Sequence, residues 1–210
     1  MSMEKLKSVA DQVMNRSSAV RGRGEEATKQ ALVLPVLDAL GFDIWNPEEV
    51  CPEYCADFSI KKLGQKEKVD LAIVMGGVPR IYIEVKSVES SLEGHEGQLA
   101  RYFNSTPSVP LGIITNGTEY RFYSDTGEQN IMDKYPFHVV RVDSFDQGLD
   151  ILSKFHKSNF SPDEVRDFAT QTNYTKKIYG FLKGHIDLGE KMPDENFMRW
   201  ILERVIDSGH

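Results

Sequence analysis

The sequence predicts an α/β (α+β) fold in which a mixed sheet of four to five strands is flanked by helices, with a helical C-terminal extension. Three observations carry that prediction. Val69–Lys86 holds two β-rich runs around Gly76-Gly77-Val78-Pro79, strong turn punctuation, and reads as an antiparallel hairpin. From Ile81 to Thr115 the pattern runs strand, helix, strand, a crossover that makes its two strands parallel. From Ser144 onward the periodicity is helical, which divides the chain into a core at 1–143 and an extension at 144–210 packed on it.

Taken in order, residues 3–15 have helical spacing through Leu6, Val9 and Val13, and Arg21–Gly24 breaks it. A second helix is expected from Glu25 to Leu40, with Gly41 as its C′ glycine. Its inward stripe runs through Ala27 or Gln30, Val33, Leu37 and Leu40, and Glu26 falls on that stripe one turn upstream. Pro35, inside this helix, should kink it or shift its start. Val50–Ile60 reads as a strand, with Pro52 marking an edge or an irregular start.

After the hairpin comes a helix at Ser90–Phe103, on which Gln98 and Tyr102 share a face. Leu111–Thr115 is an apolar strand, and Asn116-Gly117 turns it into Glu119–Tyr123. Phe137–Val142 is a further short strand. In the extension, Ser161-Pro162 starts a helix, with Ser as N-cap and Pro at N1. Pro193-Asp194 starts another, with Phe197, Trp200, Ile201 and Val205 at core spacing.

The hairpin also carries the chemistry. In its second run Tyr82, Glu84 and Lys86 share one face. A turn centred on Gly77 pairs residues whose numbers sum to 154, so Asp70 is expected opposite Glu84, with Cβ atoms roughly 5 Å apart. Like charges so placed repel by about 1–3 kcal/mol, and a divalent cation shared by both carboxylates relieves the repulsion. An Asp followed by Glu-x-Lys on the next strand is what metal-dependent phosphodiester hydrolysis needs. The acids hold Mg²⁺, and the lysine orients the attacking water and meets the phosphate. The alternative from these residues alone is a Glu84–Lys86 surface ion pair beside an ordinary strand-end Asp70.

Composition narrows the field. With 40% apolar and 27% charged residues over 210 positions, the chain is globular rather than disordered. No run approaches the length of a membrane span and no signal-peptide core opens the chain, so a cytoplasmic protein with no membrane partner is expected. Cys51 and Cys55 lack the further ligands of a zinc site. A net charge of −7 argues against a general nucleic-acid coat protein but leaves room for local basic clusters. These lie at Arg16, Arg21 and Arg23, and at Lys61, Lys62, Lys66 and Lys68, with Arg23 and Lys68 the candidates for phosphate contact.

The order of these parts resembles the PD-(D/E)xK nuclease superfamily. More narrowly, it resembles the N-terminal nuclease domain of type I restriction-enzyme R subunits and their stand-alone relatives. The matching pieces are Glu26-Ala-Thr-Lys and the helix to Gly41, Val69-Asp70, Ile83-Glu84-Val85-Lys86, Gln98-Leu-Ala-Arg-Tyr102 and Gly112-Ile-Ile-Thr-Asn-Gly117, over roughly residues 20–125. The resemblance implies a restriction-endonuclease-like core and a Mg²⁺- or Mn²⁺-dependent endodeoxyribonuclease. It implies Asp70 and Glu84 as metal ligands with the Val85 carbonyl as a third, and Lys86 as the catalytic lysine. Glu26 would be the helix acid near the metal, and Gln98 and Tyr102 the pair bordering the site and contacting the lysine or DNA.

Two departures stand out: the superfamily's Pro before the Asp is Val69 here, and no Gly-x₄-Gly-Lys-Ser/Thr motor motif occurs, so ATP-driven translocation is not implied. The implied partners are DNA and either other restriction-system subunits or a second copy of the chain. The competing reading is a non-catalytic nucleic-acid-binding or protein-interaction module on the same fold. Retention of the acids, the lysine and the glutamine favours the enzyme. An RNA-directed nuclease would differ in substrate only, and no RNA module is visible.

Overall fold

A computed structural model describes residues 3–55, 68–143 and 148–185, with residues 196–197 and 199–200. Helix α1 (Met3–Val20) buries Leu6, Val9, Ala10 and Val13, the predicted stripe, and runs five residues further than its apolar spacing suggested. Gly22 and Gly24, both at positive φ, turn the chain into the next helical segment. That segment is not one helix. It comprises α2 (Gly24–Thr28), a π-helical turn over Lys29–Val33 and α3 (Leu34–Ala39).

Pro35 sits in the first turn of α3. Without an N–H, and with a ring that crowds the carbonyl four residues back, it makes the preceding turn widen instead of continuing as α-helix. The segment closes as predicted at Gly41 (φ +86). Gly41 N–H donates to the Asp38 carbonyl and Phe42 N–H to the Leu37 carbonyl, a Schellman cap.

The sheet has six strands rather than four to five, because both short outer strands pair. They are β1 (Val50–Tyr54), β2 (Val69–Met75), β3 (Val78–Val85), β4 (Leu111–Thr115), β5 (Glu119–Tyr123) and β6 (His138–Arg141), in sequence order across the sheet. All neighbours are antiparallel except β3 and β4, which the crossover through α4 (Glu96–Ser105) makes parallel as expected. Helix α4 starts later than its periodicity suggested, after a turn closed by Ser90 N–H to the Ser87 carbonyl and Gly94 at positive φ. The end of the predicted Val50–Ile60 strand lies outside the described residues, as does the 143/144 boundary's far side and all but a few positions of the predicted helix after Pro193.

Two apolar layers enclose the sheet. Leu71, Ile73, Ile81, Ile83 and Val85 face α1 to α3, α5 (Leu149–Lys154) and α6 (Pro162–His185), which adds Val165 and Ala169. Ala72, Tyr82, Ile114 and Tyr123 face α4 through Leu99, Tyr102 and Phe103. This is a mixed α/β architecture, a six-stranded sheet flanked by helices. No helix among the described residues is long and apolar enough to cross a membrane.

Candidate active site

The hairpin register places the acids, by a route the sequence did not show. Gly76 and Gly77 have φ of 60° and 77° and form a two-residue turn that pairs Met75 with Val78. Positive φ at both central residues is what the tight type I′ hairpin turn requires. Continued without interruption, that register would set Asp70 against Ile83. A bulge between Ile73 and Val74 shifts it by one, so the pairs become Ile73–Ile81, Ala72–Tyr82 and Leu71–Ile83. The next step along the ladder brings Asp70 level with Glu84. A bulge re-aims side chains to the other face, and here it puts both carboxylates on the α4 side of the sheet.

Glu84 is 2% exposed, and its Oε2 has no hydrogen-bond partner among the described residues. Its Oε1 accepts from Lys86 Nζ at 2.7 Å. Asp70 Oδ2 accepts the Val85 N–H at 2.7 Å, which ties the end of β2 to β3 between the two site residues of Glu84-Val85-Lys86. Burial, then the charge of Asp70, push the Glu84 carboxyl up to about 7 against the pull of Lys86. Burial also raises Asp70, only partly opposed by the Val85 amide and by the charges of Lys29 and Lys86. Burial alone would lower Lys86, but the hydrogen bond to Glu84 and the charges of Glu84, Glu25 and Asp70 outweigh it and raise its pKa. Lys86 is therefore an ammonium at neutral pH, suited to orienting a nucleophile and meeting phosphate charge rather than to acting as a free base.

The helix acid at the site is Glu25, not Glu26. Glu25 Oε1 lies 3.4 Å from Lys86 Nζ. Glu26, expected as a metal ligand, is 81% exposed at its side chain and pairs with Lys29 at 2.6 Å. The cause is the π-turn, which adds a residue to one turn and moves the upstream phase of the helix back by one. Projecting α-helical spacing from Leu40 and Val33 could not show this. Pro35 was its only sequence signal.

The same turn brings in two residues that motif reading left without a role. Lys29 is buried, and its charge acts on Asp70. Thr28 accepts the Val88 N–H and donates to the Gly24 carbonyl, pinning α2 against the chain just beyond β3.

On the other wall, Gln98 donates from Nε2 to the Lys68 carbonyl at 3.0 Å, two residues before Asp70, so it positions the entry of β2 rather than touching Lys86. Tyr102, expected to contact DNA, is instead core: it is 4% exposed and stands edge-on to Tyr82 with ring centroids 6.3 Å apart. Placed one turn after Gln98 on a helix laid against the sheet, its ring faces inward. Lys68 is exposed and pairs with Glu53 at 2.6 Å. Arg23 is exposed at the start of α2, on the rim of a cleft of about 1150 Å³.

Chemically the arrangement is two opposed carboxylates, one buried with an unpartnered oxygen, beside an ammonium. Among the described residues no group of three or more His, Cys, Asp or Glu side chains is placed to hold a metal ion. Any ion here would rest on Asp70 and Glu84, backbone carbonyl and water, a hard-oxygen set of the kind Mg²⁺ accepts.

Comparison with known proteins agrees with this fold. No curated protein matches the chain. Among solved structures, the cryoEM structure of the DrdV–DNA complex resembles it over 86% of its length, with a TM-score of 0.50 at 13% identity, a likeness of fold. The chain spans only 16% of that neighbour's length. A family model, the type I restriction enzyme R protein N terminus, matches residues 53–131. That segment runs from the end of β1 past β5 and holds Asp70, Glu84, Lys86 and Gln98. Over residues 53–131 the chain is similar to the type I restriction enzyme R protein N terminus.

Proposed function

We propose that this chain is a Mg²⁺-dependent endodeoxyribonuclease that hydrolyses DNA phosphodiester bonds. The observation that carries the reading is Glu84, a carboxylate buried opposite a second carboxylate with one oxygen left without a partner among the described residues. A fold does not strand a charge this way without cost: a buried unsatisfied polar group costs about 1–3 kcal/mol, more when charged. Such costs gather at functional sites.

Asp70, Glu84 and the Val85 carbonyl would hold the ion. When bound, it would supply Lewis-acid polarisation of the phosphoryl oxygen and acidify a water. The remaining work falls to the chain. Lys86, held by Glu84 and Glu25, presents its ammonium to the attacking water and to the charge that builds on the phosphate. Gln98 fixes the start of β2 and so the height of Asp70. Lys29 supplies a second cation beside the carboxylates. The DNA of the DrdV complex and the restriction family of residues 53–131 both point to DNA as the substrate.

The test is nicking of supercoiled plasmid in Mg²⁺ or Mn²⁺, with EDTA and Lys86→Ala as controls. Metal-dependent nicking that Lys86→Ala abolishes is the expected result. A second reading, a binding module without catalysis, is favoured by the small number of side-chain donors. It wins if no divalent ion supports cleavage of any form of DNA by the wild-type chain.

A further inference from the structure

We infer that Thr28 is a positioning residue whose buried hydroxyl locks α2 against the exit of β3, so that Glu25 meets Lys86 and the lysine's ammonium is held in place. This role rests on the nuclease reading and names the residue that enforces its geometry.

The chain leaves the sheet just after Glu84-Val85-Lys86. Lys86 N–H donates to the Thr115 carbonyl at the end of β4, at 2.8 Å. Two residues on, the buried Val88 has left the ladder, and its N–H donates to Thr28 Oγ1 at 3.1 Å, across 60 positions of sequence. The same hydroxyl donates to the Gly24 carbonyl at 3.0 Å. Thr28 has no exposed surface, so both bonds are shielded from water. One hydroxyl thus joins the first turn of α2 to the strand exit. Lys86 stands between two held points, one on the sheet and one on the helix.

Glu25 lies in that first turn, three residues before Thr28 and so on the same face, and its carboxylate stands 3.4 Å from Lys86 Nζ. The tether is needed because the turn that follows is π-helical, over Lys29–Val33. A slip of one residue there rotates α2 by about 100° and would bring round Glu26, which is instead exposed and paired with Lys29. A second contact holds the π-turn itself. Gly117, in the β4–β5 turn, lies so close to the buried Leu32 that a Cβ on it would come within 2.5 Å of the Leu32 Cβ. The widened turn is therefore fixed by a hydroxyl just before it and by packed backbone within it.

Thr28→Val keeps the shape but removes both bonds and leaves the Val88 N–H buried without its acceptor. Helix and strand exit can then shift past each other, and a displacement of about 1 Å at a reacting group costs up to about 10²-fold in rate. Ser124 supplies the control. It is as deeply buried, and its hydroxyl donates to the Pro110 carbonyl at 2.8 Å, at the end of the sheet away from the carboxylates.

The experiment uses the full chain in two arms. The first, in EDTA, needs no activity: it follows the NMR signal of the Lys86 ammonium, assigned by its loss in Lys86→Ala. An ammonium held by two carboxylates exchanges its protons slowly enough to be seen, and one turned to water does not. Wild type, Thr28→Ser and Ser124→Ala should show the signal, and Thr28→Val should lose it. The second arm is Mg²⁺-dependent nicking. Thr28→Val should lower kcat by roughly 10- to 100-fold with KM within about twofold, and Thr28→Ser should restore most of the rate. Ser124→Ala should leave kcat unchanged. Should Thr28→Val not fold, Thr28→Cys, a weak acceptor of similar size, takes its place.

A wild type without the ammonium signal, a Thr28→Val chain that keeps it or nicks at the wild-type rate, or a Ser124→Ala chain that behaves like Thr28→Val overturns the inference. Nicking by wild type leaves the nuclease reading standing in each case. Signal lost only in Thr28→Val, with no nicking by wild type in any metal, keeps the positioning role and removes the nuclease. Failure of Thr28→Ser to restore the signal makes the methyl group the cause and overturns the role of the hydroxyl.

Discussion

Two hairpins of one sheet treat buried charge in opposite ways. In β4–β5 the register is unbroken from Gly112–Tyr123 to Thr115–Tyr120. Asn116 Oδ1 caps its turn by accepting from Thr118 and Glu119. Its one acidic residue, Glu119, bridges Arg121 at 2.6 Å and Arg141 at 3.1 Å, each carboxylate oxygen taking one guanidinium. In β2–β3 the register is broken by a bulge, two carboxylates are brought to one level, and one buried oxygen is left without a partner among the described residues. Both hairpins come from ordinary strand and turn sequences. The first is complete without a ligand, and the second would be completed, on the proposed reading, by a cation between its acids. Local rules are broken where function needs them broken.

The sharpest way to break that comparison is catalytic. Lys86→Ala should lower metal-dependent nicking by about 10²–10⁴-fold, the range of a positioned proton-handling or charge-stabilising group, whereas Arg121→Ala, the corresponding cation of the other hairpin, should leave it unchanged. A nicking assay on both variants decides. Equal effects would mean that the two hairpins are alike.

The next effect is on stability against pH in the metal-free protein. The Glu84 carboxyl titrates near 7 folded, against an ordinary value of 4.5. The folded state therefore holds more protons than the unfolded one between those values. The contribution is full below pH 4.5 and is lost as pH rises towards 7, by up to about 3 kcal/mol at about 1.4 kcal/mol per unit. Urea unfolding in EDTA at pH 5 and pH 8 should show wild type losing stability relative to Glu84→Gln, which cannot titrate. Parallel pH profiles for the two would place Glu84 in an ordinary ion pair.

Removing one charge from each hairpin should then give opposite signs. Asp70→Asn keeps an acceptor for the Val85 N–H and relieves the repulsion, so the metal-free protein should gain about 1 kcal/mol. Added Mg²⁺ should stabilise wild type more than this variant, because only a folded pair of acids binds the ion well. Glu119→Gln breaks two bridges and should lose about 1 kcal/mol, discounted because Arg141 is largely exposed. Melting curves in EDTA and in Mg²⁺ measure both. An Asp70→Asn chain less stable than wild type in EDTA would falsify the opposed-carboxylate site.

The smallest effect separates neighbours. Glu25→Gln should slow nicking a few-fold by loosening Lys86, a loss of under about 1 kcal/mol for a half-exposed partner, and Glu26→Gln should change nothing. Rates for the pair show whether the π-turn sets the helix phase in solution.

The sequence by itself determined the order of elements, the parallel crossover, the Gly41 cap and the hairpin that carries Asp70, Glu84 and Lys86, and it showed a resemblance to the type I restriction-enzyme R subunit N terminus over roughly residues 20–125, of which a family model matches 53–131. Each depends on periodicity, turn residues or spacing along a few positions, and such signals survive in one dimension. Opposition of Asp70 and Glu84 was also inferred, though from a turn centred on Gly77. The real turn is one half-step earlier, and the bulge at Ile73–Val74 restores the pairing.

Only the tertiary structure decided the rest. It showed that Pro35 widens a turn and presents Glu25 in place of Glu26, that Tyr102 turns into the core against Tyr82, and that Gln98 grips the Lys68 carbonyl. It also showed that Lys29 and Trp45 meet at one cleft. These depend on helix phase and on contacts between segments distant in the chain. A single added residue in a turn rotates everything beyond it by about 100°, a change that leaves almost no mark on composition or spacing.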